Sequence, residues 1–288
     1  MRQLVILSGK GGTGKTSLTA SFARLADEDL VMADCDVDAP DLHFLMQPEV
    51  RETHEFASSA LAEIDPDICT ECGLCREHCR FDAIDEDFRV DDIACEGCYL
   101  CYHVCPVDAI TMHPKVSGHW YRSDTSSGPM IHARLSFGEG NSGKLVTRVK
   151  EEARRVAEEA GRDTLLVDGP PGIGCPVIAA LSGATRALLV TEPSSSGLHD
   201  LRKIAAVCRH FGVPAGICIN RYDVYQDYTD RIEEMAREED LPVVGRIPYD
   251  ENVTWAQLEG KTIVEYDDGP ASRAIKKVWE DVFAGLDR

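Results

Sequence analysis

Leu4-Val5-Ile6-Leu7, then Gly9-Lys10-Gly11-Gly12-Thr13-Gly14-Lys15-Thr16, is the segment around which this chain is organised. The apolar run reads as a buried strand. Ser17-Leu18-Thr19-Ala20-Ser21-Phe22-Ala23-Arg24-Leu25 reads as an amphipathic helix. Strand, glycine-rich turn, lysine, hydroxyl and helix is the order a phosphate-binding loop needs. Glycines let backbone N–H groups close around phosphate oxygens, and a helix N-terminus adds about half a positive charge. Gly9, Lys10, Gly11, Gly12, Thr13, Gly14, Lys15, Thr16 and Ser17 are therefore the expected cradle. Lys15 is expected on the β- and γ-phosphates and Thr16 on Mg²⁺. The plain alternative is an ordinary glycine-rich turn between strand and helix.

Lys10 adds specificity. A second lysine directly after the first glycine resembles the deviant Walker A loop of the MinD/ParA family, which includes the nitrogenase iron protein and several Fe–S scaffold ATPases. The resemblance implies that Lys10 reaches across an ATP-bound homodimer to the partner's nucleotide. A solvated loop lysine is the alternative. Further along, Leu30-Val31-Met32-Ala33 reads as a second strand running into Asp34-Cys35-Asp36-Val37-Asp38. Acidic groups at the C-terminal end of a parallel strand sit where ligands bind in such sheets. By resemblance Asp36 orients the attacking water near Mg²⁺, and Asp34 and Asp38 tune the cation and the switch. Helix capping is the competing role for Asp38 and Asp41.

The bulk numbers bound the answer. The chain has 288 residues, 43% of them hydrophobic, enough for one large α/β domain and an insert. A net charge of −20 argues against sequence-independent nucleic-acid binding and against docking on anionic lipid. The start enters a strand directly, with no signal-peptide pattern, and no apolar run reaches membrane-spanning length. A cytoplasmic location is expected, so twelve cysteines point to metal rather than disulfides.

Those cysteines are ordered. Cys69, Cys72, Cys75 and Cys79 have the spacing C-x₂-C-x₂-C-x₃-C, and Cys95, Cys98, Cys101 and Cys105 repeat it at an offset of 26 residues. Leu74 recurs as Leu100, and Asp82-Ala83-Ile84 as Asp108-Ala109-Ile110. This duplication resembles a bacterial two-cluster ferredoxin. Three thiolates on one tight loop cap three irons of a cubane, and the fourth cysteine of each run ligates the other cluster. The expected sets are Cys69, Cys72, Cys75 and Cys105 for one 4Fe–4S cluster, and Cys95, Cys98, Cys101 and Cys79 for the other. Arg80 departs from the pattern, standing where proline usually follows the fourth cysteine; Pro106 keeps it. Zinc is the runner-up metal, since Cys₄ sites bind it. Such an insert is too short for an independent apolar core, so metal is expected to hold it together.

The remaining stretches complete the α/β reading. His54-Glu55-Phe56-Ala57 and Ala60-Leu61-Ala62-Glu63-Ile64 read as two short edge strands. His119-Trp120-Tyr121-Arg122 and Met130-Ile131-His132-Ala133-Arg134-Leu135 read as a hairpin turning at Ser123 to Gly128. A helix with Leu145, Val149, Ala153 and Val156 on one face follows a loop through Asn141. Thr164-Leu165-Leu166-Val167 reads as a buried strand ended by Asp168. The resemblance gives Asp168 the Walker B role, holding a water of Mg²⁺, and puts the Gly172 backbone at the γ-phosphate. Cys175 lies seven residues after Asp168, as a bridging-cluster cysteine does in the nitrogenase iron protein. The loop near Glu139-Gly140-Asn141 lacks that protein's second cysteine, so a bridging cluster is not expected. Asn220 and Arg221 follow another strand, and Pro248 lies in a later loop. By resemblance these contact the base, Asn220 through an amide that can donate and accept. ATP fits better than GTP on that ground. A final helix from Ala271 to Ala284 packs on the body.

The expected architecture is a doubly wound, mostly parallel α/β ATPase formed by residues 1–64 and 115–288, with a small two-cluster ferredoxin-like α+β insert at 65–114. The catalytic set is Lys10, Lys15, Asp36 and Asp168, with ATP, Mg²⁺ and two 4Fe–4S clusters as cofactors. Three functions compete. The first is an ATP-driven dimer switch coupled to electron delivery to a redox partner. The second is a carrier or assembly ATPase for Fe–S clusters or a metal cofactor, with an assembly protein as partner. The third is a redox-sensing positioning ATPase.

Overall fold

The computed structural model describes residues 1–26, 30–140 and 142–284. Asn141, in the expected loop, therefore lies outside the described residues. The strands are β1 (Arg2–Ser8), β2 (Leu30–Asp34), β3 (Glu49–Ile64), β4 (Ile110–Thr125), β5 (Gly128–Leu135), β6 (Thr164–Pro171), β7 (Arg186–Thr191), β8 (Ala215–Asn220) and β9 (Val243–Ile247). The helices are α1 (Lys15–Leu25), α2 (Leu42–Met46), α3 (Leu74–His78), α4 (Leu100–Val104), α5 (Ser142–Ala160), α6 (Cys175–Leu181), α7 (Ser195–His210), α8 (Gln226–Glu238), α9 (Asn252–Leu258), α10 (Ile263–Tyr266) and α11 (Pro270–Ala284).

Among the described residues, these nine strands share one sheet in the order β3-β4-β5-β2-β6-β1-β7-β8-β9. β1 pairs in parallel with β6 and β7, and β2 in parallel with β6 and β5. The β7–β8–β9 side is parallel too. Continuous apolar runs form the central strands because helices cover both faces. Leu4, Val5, Ile6 and Leu7 of β1 are all fully buried. Their C-terminal ends share one edge of the sheet, and the loop between β1 and α1 lies there.

The chain divides into two compact units. One comprises Met1–Thr53, Trp120–Arg134 and Ser142–Arg288; the other comprises His54–His119 and Leu135–Asn141. The first has a core in which Phe22, Leu4, Met32, Met130, Ile275 and Val278 cluster, with the Phe22 ring 5.1 Å from that of Trp279. Leu145, Val149, Ala153 and Val156 of α5 are buried as their helical spacing requires. The second unit has a far smaller core of Ala62, Cys75, Ile84 and Ile110, with other cysteines packed against it. Its bounds are wider than the stretch 65–114 that carries the cysteines.

Three local expectations are corrected. The two short edge strands are one 16-residue strand, β3, beside an equally long β4. Partner strands supply the backbone hydrogen bonds, so the polar Ser58-Ser59 joint does not interrupt it. The hairpin turn contracts to the two residues between β4 and β5. β6 does not end at Asp168 but runs on to Pro171, since Asp168 still pairs with Ile6 of β1 and Asp34 of β2.

His132 in β5 is buried, shares a 2.9 Å hydrogen bond with Ser123, and stacks on Tyr121 at 4.9 Å. Burial, assisted by His43, pushes its pKa from 6.5 down to about 4. The folded state thus binds this proton less readily than the unfolded chain. The associated stability is complete above about 6.5 and is lost as pH falls towards about 4. Between pH 7.5 and 5 the loss is about 2 kcal/mol from this group. Denaturant titrations at both pH values should show a smaller drop for His132→Gln than for the native chain. An equal drop would remove His132 from the account.

Candidate nucleotide site and paired cysteine sets

The β1–α1 loop builds the first site. Gly14 is left-handed at φ 90°, and a Cβ there would stand 2.3 Å from Asn220 Nδ2, so only glycine fits. Asn220 Nδ2 donates to Thr13 O at 2.8 Å, and its Oδ1 accepts from Arg221 N–H at 3.0 Å. Asn220 therefore braces the loop in this structure, with both ends of its amide engaged.

Behind the loop lies a charged knot. Lys15 Nζ is 3.3 Å from Asp168 Oδ1 and 3.7 Å from Asp36 Oδ2. Thr16 Oγ1 donates to Asp168 Oδ2 at 2.8 Å, and Thr19 Oγ1 donates to Asp168 Oδ1 at 2.9 Å. Asp34 is fully buried and accepts from the N–H groups of Asp36 and Leu42. Burial works against the charge on Lys15, but Asp168, Asp36 and Asp34 outweigh it and raise its pKa. Burial, then the charge of Asp168, drives the pKa of Asp34 well up. Burial raises Asp36 to about 6 although Lys15 opposes it. Even with Asp34 neutral, Asp36 and Asp168 against one ammonium leave excess negative charge. A divalent cation beside Thr16 would relieve it.

The loop opens onto a cleft of about 730 Å³ lined by residues 11–17, Asp36, Arg221 and Gln257, among others. Of the expected site residues, Gly9, Lys10, Asp168, Gly172, Asn220 and Pro248 do not line it. Gly9 backs onto Asp200, and Gly172 N–H donates to Ser8 O at 3.0 Å. Asp168 lies beneath Lys15 and Thr16, and Pro248 sits half-buried just past β9. Lys10 Nζ instead contacts Glu192 Oε1 at 2.7 Å, Ser196 Oγ at 2.8 Å and Ser194 Oγ at 3.3 Å. Glu192 Oε2 also lies 3.4 Å from Arg221.

The sequence reading missed Glu192, which joins Lys10 to Arg221, and Thr19, the third ligand of Asp168. The signal for Glu192 was its position, just beyond β7 at the ligand edge of the sheet. Thr19, one turn after Lys15, was hidden by its helical context. Lys150 was also missed: it is buried in α5 and donates to the carbonyls of Ala180 and Ser182 at the end of α6. Burial lowers its pKa to about 8. Cys175 is exposed at the start of α6.

In the second unit the sequence duplication reappears in the backbone. Glu71 and Gly97, Gly73 and Tyr99, and Asp82 and Asp108 are pairs 26 residues apart, and all six have positive φ. α3 and α4 are counterparts as well. One small cavity is lined by Cys69, Cys72, Cys75 and Cys105. The other is lined by Cys79, Cys95, Cys98 and Cys101. Each thus takes three cysteines from one run and the fourth from the other. Among the described residues, no three His, Cys, Asp or Glu side chains converge as a single metal ion requires. The thiols surround a volume instead of a point, as a multi-iron cubane would need.

A mostly parallel sheet with a phosphate-type loop at its ligand edge, backed by lysine and aspartate, defines a P-loop nucleotide-binding α/β protein. The model of the CobQ/CobB/MinD/ParA nucleotide-binding domain matches residues 4–263, and the chain belongs to that family. It is 37% identical over 221 residues to an uncharacterised protein of Methanocaldococcus jannaschii, covering 76% of this chain and 78% of the relative. It is 26% identical over 152 residues to an iron–sulfur cluster carrier protein of Pyrococcus horikoshii, covering 48% of this chain and 51% of that one. The fold is similar to the septum site-determining protein MinD from Pyrococcus horikoshii, solved with Mg-ADP. That match has a TM-score of 0.61 at 20% identity and covers 100% of this chain and 98% of the other. Among the described residues no helix is long and apolar enough to cross a membrane.

Proposed function

We propose that this MinD/ParA-family ATPase hydrolyses ATP as a homodimer and couples that switch to electron transfer through two 4Fe–4S clusters. The observation that carries the reading is the pair of cysteine-ringed cavities lying in the same chain as the nucleotide loop. The donor set fits the group: four thiols per cavity, with apolar walls that include Ile64 and Ile110 on one side and Ala62 and Met112 on the other. On this reading residues 65–114 form a ferredoxin-like insert. Such clusters, when bound, supply one-electron storage at low potential.

The chain's own residues account for the nucleotide half. The loop N–H groups bind phosphate, Lys15 neutralises it, and Thr16 with Asp168 holds the cation through direct and water contacts. Asp36, beside Lys15, orients water. Lys10 acts on the partner's nucleotide. The bracing of Thr13 by Asn220 supports a loop shaped before nucleotide arrives. Base recognition then falls to Arg221, which lines the cleft, and to Asn220 only after its amide is released. A second reading, cluster delivery, draws on the carrier relative and on the exposure of Cys72 and Cys98.

Anaerobically prepared protein should contain about eight irons and as many sulfides per chain. Stoichiometric zinc with little sulfide would overturn the iron–sulfur half of the proposal. Incubating the loaded protein with an apo-ferredoxin separates the two readings: retained iron supports electron transfer, and iron lost to the acceptor supports delivery.

A further inference from the structure

The two cysteine sets are copies in sequence but not in their backbone hydrogen bonds. Glu71 N–H donates to Cys69 Sγ at 3.4 Å, and Ala109 N–H donates to Cys105 Sγ at 3.3 Å. Both sulfurs belong to the set Cys69/Cys72/Cys75/Cys105. The positions 26 residues away are Gly97 with Cys95, and Ala83 with Cys79. Among the described residues neither makes the corresponding bond, whereas the counterpart sulfurs Cys75 and Cys101 accept alike from the next residue's N–H, Arg76 and Tyr102, so that pair cancels. The asymmetry has a local cause at one of the two positions. Gly97 is pressed against β3, where a Cβ would fall 2.4 Å from Ala60 O and 2.7 Å from Ala60 N. Glu71, its counterpart, has the same left-handed backbone without that constraint.

Hydrogen bonds to cysteine sulfur, local charge and solvent exposure set the potential of a thiolate-held cluster. An N–H dipole aimed at sulfur favours the more negative, reduced form. We infer that the two sets hold their clusters at unequal reduction potentials, with the Cys69/Cys72/Cys75/Cys105 set the higher. This rests on the reading of the cavities as 4Fe–4S sites.

The competing effects are weaker. Glu96 lines the second cavity and would lower its potential, while Arg80, next to Cys79, would raise it. Both are exposed, so solvent and salt screen them, and their signs oppose. Exposure is matched at Cys72 and Cys98, which are both open to solvent. Cys75 is buried where Cys101 is half-buried, which penalises added charge in the first set. That is a difference at one sulfur against two direct donors. The first electron on the chain therefore resides in the first set, and the second set is the stronger reductant.

The test is a mediated redox titration of the full chain, carried down with dithionite and followed by electron paramagnetic resonance. Iron analysis comes first: fewer than about eight irons per chain defeats the cluster reading itself. With eight present, two resolved one-electron waves are expected. Cys72→Ser, which keeps an oxygen ligand, should move only the upper wave, and Cys98→Ser only the lower. A single wave accounting for both clusters, or the opposite assignment by the two variants, overturns the inference and leaves the cluster reading standing.

Discussion

Lys10→Ala should lower ATP turnover by about 10³-fold or more while leaving nucleotide affinity within about threefold. A cation supplied in trans to a transferring phosphoryl group contributes ~10³–10⁵ in rate. The geometry explains why affinity survives. Lys10 does not line the cleft of its own chain and is held by Glu192, Ser194 and Ser196. The proposed binding groups are the loop N–H groups, Lys15 and Thr16, none of which contacts Lys10 Nζ. The contrast is Asp36→Ala, which should bind ATP, fail to hydrolyse it and accumulate the dimer. Steady-state phosphate release, nucleotide titration and light scattering on both variants make the comparison. Unchanged turnover in Lys10→Ala would sink the role in trans. A collapse in affinity would place Lys10 in its own site.

Cys79→Ala should halve the iron, from about eight to about four per chain. The cluster lost should be the one bound by Cys95, Cys98 and Cys101, although Cys79 is nearest in sequence to Cys75. The cavity containing Cys79 is lined by the other three cysteines of the second run. Removing the thiol leaves an open position in that set and none in the first. Unit stability should fall as well, because the buried apolar residues there are few, and the proposed clusters would supply much of the cohesion. Redox titration of the variant identifies the survivor, which should be the upper-potential wave. Loss of the cluster on Cys69, Cys72 and Cys75 alone would refute the crossed ligation.

How much of this was legible beforehand depends on the range of each interaction. The β1–α1 loop was legible because its chemistry is local: glycines, a lysine and a hydroxyl within a few residues, between an apolar run and a helix. The buried central strands were legible for the same reason, as uninterrupted runs of Leu, Val and Ile. The cysteine duplication was legible as a repeat, and crossed ligation was what its resemblance to a two-cluster ferredoxin implies.

Contacts between distant segments were not legible. Nothing near Asn220 announces that its amide braces Thr13, and nothing near Lys10 announces Glu192, 182 residues away. β3 looked like two fragments because its polar middle carries no apolar period, and pairing in the sheet makes it one strand. The repeat likewise predicts two equal cysteine sets. Close approach of Gly97 to Ala60 distinguishes them, and that approach exists only once β3 is in place. Sequence alone determined the central elements and the chemical groups they carry, since propensity and spacing act over a few residues. Tertiary structure decided which groups meet, because hydrogen bonds, burial and charge coupling depend on distances that folding sets.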